Sequence, residues 1–219
     1  MALSRKVVTM QTSTEAEENL RIIRSLMEKA TIYRAISAPA ALLGGVLSVA
    51  VAAAAWWLSG LSVAGARVPF LVSWLAVLAI TSGANLWLLW RDAVRRGEPF
   101  ASQGMRLALR AMMPALLAGG FCTLIATDGG WPLIASLWVL LYGVSLLAAS
   151  HFAPKSLCWL GRVFFLCGSL LLVLGIWVAD SWRGTDQTTL AHLIMGATFG
   201  LFHLIYAACT WPRNTGGAA

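Results

Sequence analysis

Six runs of apolar residues divide the chain, and the polar positions gather in short stretches between them. The runs cover roughly 36–59, 68–90, 105–126, 131–150, 156–178 and 189–211. Each is close to the ~20 residues an α-helix needs to cross a hydrocarbon core. Ahead of them, Thr14 to Glu17 reads as a capping box, the Thr14 hydroxyl and the Glu17 carboxylate each serving the other residue's backbone N–H. Leu20, Ile23, Leu26, Met27, Ala30 and Tyr33 then share one helical face, with Arg21, Arg24, Ser25, Glu28 and Lys29 on the other. The pattern predicts an all-α, polytopic membrane protein. A cytoplasmic N-terminal segment, 1–34, carries an amphipathic helix over 14–34; a six-helix transmembrane bundle spans 35–211; a short cytoplasmic tail covers 212–219.

Small residues recur within the runs at a period that suits close helix packing. Ser136, Gly143 and Ser150 lie seven apart in the fourth run, and Gly161, Gly168 and Gly175 do so in the fifth. Two such helices joined by a short loop are expected to pack backbone to backbone. The first run has two adjoining rows of the same kind, Ala38/Gly45/Ala52 and Ala41/Ser48/Ala55. The string at 39–45, Pro-Ala-Ala-Leu-Leu-Gly-Gly, is echoed at 114–120, a trace of a duplicated hairpin or a consequence of residues common in spans. In the last run, His192, Gly196, Phe199, Gly200, His203, Tyr206 and Ala207 fall on one face. Ile194, Ala197, Thr198, Leu201, Ile205 and Ala208 form the opposite one, suited to lipid or to an apolar neighbour. Gly196 and Gly200, a GxxxG spacing, read as a packing seam.

Composition agrees with the pattern: 59% of the 219 residues are hydrophobic and 11% charged, against about 25% charged in soluble domains. The net charge of +7 would suit nucleic acid, but its distribution argues against that partner. With the amino terminus inside, Arg5, Lys6, Arg21, Arg24, Lys29, Arg34, Arg91, Arg95, Arg96, Arg106, Arg110, Lys155, Arg162 and Arg213 are cytoplasmic. Arg67 and Arg183 alone lie outside. This bias places both termini in the cytoplasm. The first 34 residues lack a compact apolar core before a small-residue cleavage site, so the first run is expected to act as an uncleaved anchor.

Candidate chemistry is sparse. Cys122, Cys158, Cys167 and Cys209 are scattered and read as small apolar fillers rather than metal ligands. His192 and His203 are eleven residues apart, about 16 Å along a helix, too far to share a metal. No metal site and no cofactor is expected. Hydrolase and nucleotide-binding motifs are missing, and no carboxylate lies in a span centre. Counted from the inner ends of their spans, however, Asn85, Arg110, Tyr142, Ser145, His203 and Tyr206 lie at similar depth. With Arg106 they outline a candidate pocket open to the inner leaflet, suited to a lipid phosphate or a small anion. The competing reading is that the arginines snorkel and that His203 and Tyr206 bond across helices as structural glue.

Phe199-Gly200-Leu201-Phe202-His203-Leu204-Ile205-Tyr206, Ile22 to Lys29, and Leu141-Tyr142-Gly143 with Ser145 resemble a group of small six-span bacterial membrane proteins, often encoded beside a winged-helix transcriptional regulator. Where that group usually continues with a glycine-rich basic segment, Ala207 and Trp211-Pro212 stand here. The resemblance implies six spans in a bacterial inner membrane and supplies no activity. The sequence therefore points to a non-enzymatic membrane protein that binds or senses a lipid, a small anion or a cytoplasmic protein partner. The alternative is a small, oligomeric transporter or channel with its route along the face of His192 and His203.

Overall fold

The computed structural model describes residues 17–25, 37–59, 67–97, 100, 103–124, 130–178 and 186–211. Thr14 of the capping box, the second half of the amphipathic helix, the loop with Asp180 and Arg183, and the tail 212–219 lie outside the described residues. Residues 17–25 are helical and exposed throughout. Beyond them are six membrane-length helices: α1 (Ala38–Ser59), α2 (Arg67–Arg96), α3 (Gln103–Leu124), α4 (Trp131–Ala148), α5 (Lys155–Val178) and α6 (Gln187–Thr210). No strand occurs among the described residues. Apolar runs of this length become helices because lipid offers backbone N–H and C=O groups no partners, and a helix satisfies them internally. The chain is a multi-pass helical membrane protein.

The ends of these helices reflect local chemistry. α2 continues six residues past Trp90, through Arg91, Arg95 and Arg96, because nothing in that stretch breaks a helix. It stops at Gly97, whose φ of 64° is the left-handed conformation in which glycine closes a helix. α4 has Pro132 in its first turn, where no N–H is needed. Its backbone leaves α geometry at Ala149 and passes through a 3₁₀ turn, Ser150–Phe152, into Pro154 and α5. Ser150 thus lies in the turn and not in the α4 stripe predicted for it. At α6, Asp186 is the N-cap: its carboxylate accepts from the Thr188 N–H at 3.1 Å and the Thr189 hydroxyl at 2.6 Å.

α4 and α5 form the most extensive pair, and the glycines explain why. A Cβ on Gly143 would lie 2.8 Å from the Phe165 Cα, and one on Gly168 would lie 2.6 Å from the Leu140 Cα. Each glycine is thus a notch that admits the backbone of the opposite helix. Gly161 approaches Leu146 in the same seam, and Ser136 and Gly175 are buried.

α6 is the central helix, packed against α1, α4, α2 and α5. Its seam with α1 uses Gly196 and Gly200. A Cβ on Gly196 would meet Ala52, one on Gly200 would lie 2.7 Å from Val49 Cγ2, and one on Gly45 of α1 would lie 3.0 Å from the Gly200 carbonyl oxygen. Both predicted small-residue rows of α1 are buried. Between Gly196 and Gly200, α6 widens into a π turn. Thr198 stabilises its entry, the hydroxyl donating to the Ile194 carbonyl oxygen at 2.7 Å.

The apolar face of α6 is used in both of the ways open to it: Ala197, Leu201, Ile205 and Ala208 are exposed, and Ile194 and Thr198 are buried against neighbours. The helix is wedged between neighbours on two sides, and the extra residue of the π turn rotates the C-terminal half of the helix relative to the N-terminal half. The glycines consequently meet α1, whereas Phe199 and His203 turn to α4 and α5.

α2 and α3, consecutive in sequence, pack on different partners: α2 on α1, and α3 on α4. The echoed Gly-Gly pairs are likewise used differently. Gly44 and Gly45 are close-packed, but a Cβ on Gly119 would make ordinary contacts only, and one on Gly120 would meet nothing within 4 Å.

Candidate functional site

The two histidines inside the bundle are engaged in two separate aromatic clusters. In the half nearer the basic end, where α2 terminates and α5 begins, Tyr142 of α4 and His203 of α6 meet at 3.1 Å, hydroxyl to Nε2. His203 Nδ1 lies 2.8 Å from the Phe199 carbonyl oxygen, one turn back. A carbonyl only accepts, so the network assigns the hydrogen of the neutral ring to Nδ1, and Tyr142 donates to Nε2. Phe164, Phe199 and Phe202 surround the pair, with ring centroids 4.8 Å from Tyr142 to Phe164 and 5.0 Å from Tyr142 to Phe199. Both ring nitrogens are occupied. The Ser145 hydroxyl donates back to the Tyr142 carbonyl oxygen at 2.7 Å, and Tyr206 is buried one turn beyond His203.

The second cluster lies toward the opposite end of the bundle. Trp74 of α2 donates its indole N–H to His192 Nδ1 at 3.1 Å, which assigns the ring hydrogen to Nε2. Phe70 packs edge-on against His192 at 4.9 Å and tilted against Trp131 at 5.3 Å. Trp138 donates to the Thr123 hydroxyl oxygen at 2.7 Å, tying α4 to α3. A wet route along the His192 and His203 face would have to pass through these packed rings.

The remaining predicted pocket residues are placed elsewhere. Arg106 and Arg110 are exposed on the side of α3 turned away from buried Gly104 and Ala108, so they do not converge on Tyr142 and His203. Asn85 sits on α2 in the row that faces α1, one turn from Thr81. The Thr81 methyl Cγ2 would lie 2.8 Å from a Cβ on Gly44. Thr81 Oγ1 and Asn85 Oδ1 are buried without a hydrogen-bond partner among the described residues. The structure thus brings Tyr142, Ser145, His203 and Tyr206 to one region and leaves Asn85 and the two arginines apart.

Two further features escape a reading of the sequence alone. The Arg91 guanidinium lies over Trp87 at 5.3 Å, with Nε 4.0 Å from Asp92 Oδ1, and the Arg162 guanidinium lies over Trp159 at 4.9 Å. The signal is present as Trp-x-x-x-Arg and Trp-x-x-Arg spacings near the basic ends of α2 and α5, which put each pair on one helical face. Among the described residues, no group of three or more His, Cys, Asp or Glu side chains could hold a metal ion. No family model, curated protein or solved structure matches the chain. Any functional reading therefore rests on this geometry.

Proposed function

We propose that the protein is a non-enzymatic integral membrane protein that binds an anionic lipid at its cytoplasmic side. The observation that carries this reading is a contrast in how polar groups are used. Within the bundle, Tyr142 with His203 and Trp74 with His192 satisfy each other. At the basic end, Arg95, Arg106, Arg110, Lys155 and Arg162 are exposed, with Trp87, Trp90 and Trp159 exposed beside them. Cations mixed with indoles at one membrane surface are complementary to anionic headgroups, each cation near the surface contributing about 1 kcal/mol. The charge bias makes that surface cytoplasmic. The segment 17–25 adds support: Leu20, Ile22 and Ile23 are uncovered beside Arg21 and Arg24, a composition suited to lying on the same leaflet.

Native mass spectrometry of gently purified protein tests the reading. Preferential retention of phosphatidylglycerol over phosphatidylcholine is expected, and equal retention would refute it. The transporter alternative gains nothing from the packing, since both histidines are held in ring clusters. Solute flux into liposomes that falls on changing His203 would revive it.

A further inference from the structure

Arg162 is an exposed cation set within a span and beside an exposed indole. α5 starts at Lys155, so Arg162 lies seven residues, about 10 Å, deeper along the helix. At that depth its side chain is nevertheless exposed on the outside of the bundle. Among the described residues, no carboxylate is within ion-pair distance of it. Arg91, the other arginine set over an indole, has Asp92 at 4.0 Å. Its guanidinium reaches back over Trp159, toward the basic end, and an ionised group held at the side of a span without a counter-charge points to a functional partner.

The surroundings indicate the chemistry of that partner. Lys155, Trp159 and Arg162 are spaced i, i+4, i+7 and so form one row on α5. Trp159 is 62% exposed, and the guanidinium is held over its ring at 4.9 Å. The contact holds the guanidinium beside the ring, and a guanidinium fork can pair with phosphate oxygens in a bidentate manner. Deeper along the helix, the same row continues as Leu166, Leu170 and Val173, all exposed and apolar. Two cations flanking an indole, above an apolar strip along the same helix face, match one molecule class.

We infer that the Lys155–Trp159–Arg162 row is a specific site for an anionic phospholipid, with the phosphate on Arg162 and Lys155 and an acyl chain along Leu166, Leu170 and Val173. The inference rests on the anionic-lipid reading above and locates its ligand on α5, away from the predicted pocket on α3, α4 and α6.

The test is native mass spectrometry of the full chain titrated with phosphatidylglycerol in a phosphatidylcholine background. Wild type should retain one phosphatidylglycerol, and Arg162→Met, which keeps the aliphatic stem, should weaken it about fivefold or more. Arg162→Lys should weaken it less, and Trp159→Leu should also weaken it. Thermal unfolding in phosphatidylcholine alone checks that each variant folds. If Arg162→Met does not, the other two variants decide, and wild-type affinity in both would overturn the site. If wild type prefers phosphatidylglycerol and folded Arg162→Met prefers it equally, or only Arg106→Met or Arg110→Met lowers it, the site is wrong and the wider reading stands. If wild type shows no preference, both fall. Excess inorganic phosphate should not displace the lipid; displacement would mean that the apolar strip contributes nothing and would overturn the assignment to a phospholipid.

Discussion

Replacing Gly168 by alanine adds one methyl group at one of the two tightest points of the α4–α5 seam. The new Cβ would lie 2.6 Å from the Leu140 Cα and 2.9 Å from the Leu140 Cβ. Carbon atoms rest at about 3.5–4.0 Å, so the backbones must part by on the order of 1 Å. They cannot do so locally, because Gly143, on the other side of the same seam, admits the backbone of Phe164 and Phe165. Overpacking of this kind costs about 1–3 kcal/mol. Alanine regains up to about 1 kcal/mol over glycine in helix propensity. The expected net loss is about 1–2 kcal/mol, larger for Gly168→Leu.

The same substitution at Gly120 of α3 provides the comparison, since nothing lies within 4 Å of its Cβ position. There only the propensity gain operates, and stability should stay level or rise by up to about 1 kcal/mol. Reversible denaturation in mixed micelles, monitored by tryptophan fluorescence, measures both. A Gly168→Ala protein as stable as wild type would refute the close-approach account. So would equal losses at Gly168 and Gly120, because the effect would then belong to glycine replacement and not to the seam.

Two other substitutions probe the buried polar groups. Tyr142→Phe leaves His203 Nε2 without its donor and should lower stability by about 1 kcal/mol, the scale of interhelical hydrogen bonds in membranes; a double-mutant cycle with His203→Phe that shows no coupling would contradict the bond. Thr81→Val replaces an unpartnered hydroxyl by a methyl of similar shape. It should cost nothing and can add up to about 1 kcal/mol, and a clear loss in the same unfolding assay would show that the hydroxyl has a partner.

The spans and the principal seams were legible because each depends on a local, periodic property. Apolar run length alone located six helices, and the seven-residue spacing of Gly161 and Gly168 marked the face that meets α4. Depth was legible too: Tyr142 and His203, matched by counting from the inner ends of their spans, do meet. Which way a residue points around its helix was harder. Arg110 shares the depth of His203 but lies on the far side of α3 from α4, and Asn85 faces α1. Depth is one coordinate of three, and the azimuth depends on which helices become neighbours. The separate packing of α2 on α1 and α3 on α4 could not be read from either helix by itself.

The π turn in α6 adds a further limit. A wheel drawn at 100° per residue assumes one geometry from Gln187 to Thr210, and the helix departs from it at Gly196–Gly200. Before the turn, His192 meets Trp74 of α2; after it, His203 meets Tyr142 of α4. Two histidines that looked like one polar path therefore complete two different interhelical contacts. With both consumed inside the bundle, and Thr81 Oγ1 and Asn85 Oδ1 buried on the face of α2 that meets α1, the polar groups that a lipid can reach are the exposed cations. On α5 one of them is Arg162, whose only described partner is the Trp159 ring. Charge counting along the sequence assigns it to a cytoplasmic flank. Its depth along α5 and its exposure are what turn a topological marker into a candidate for binding phosphate.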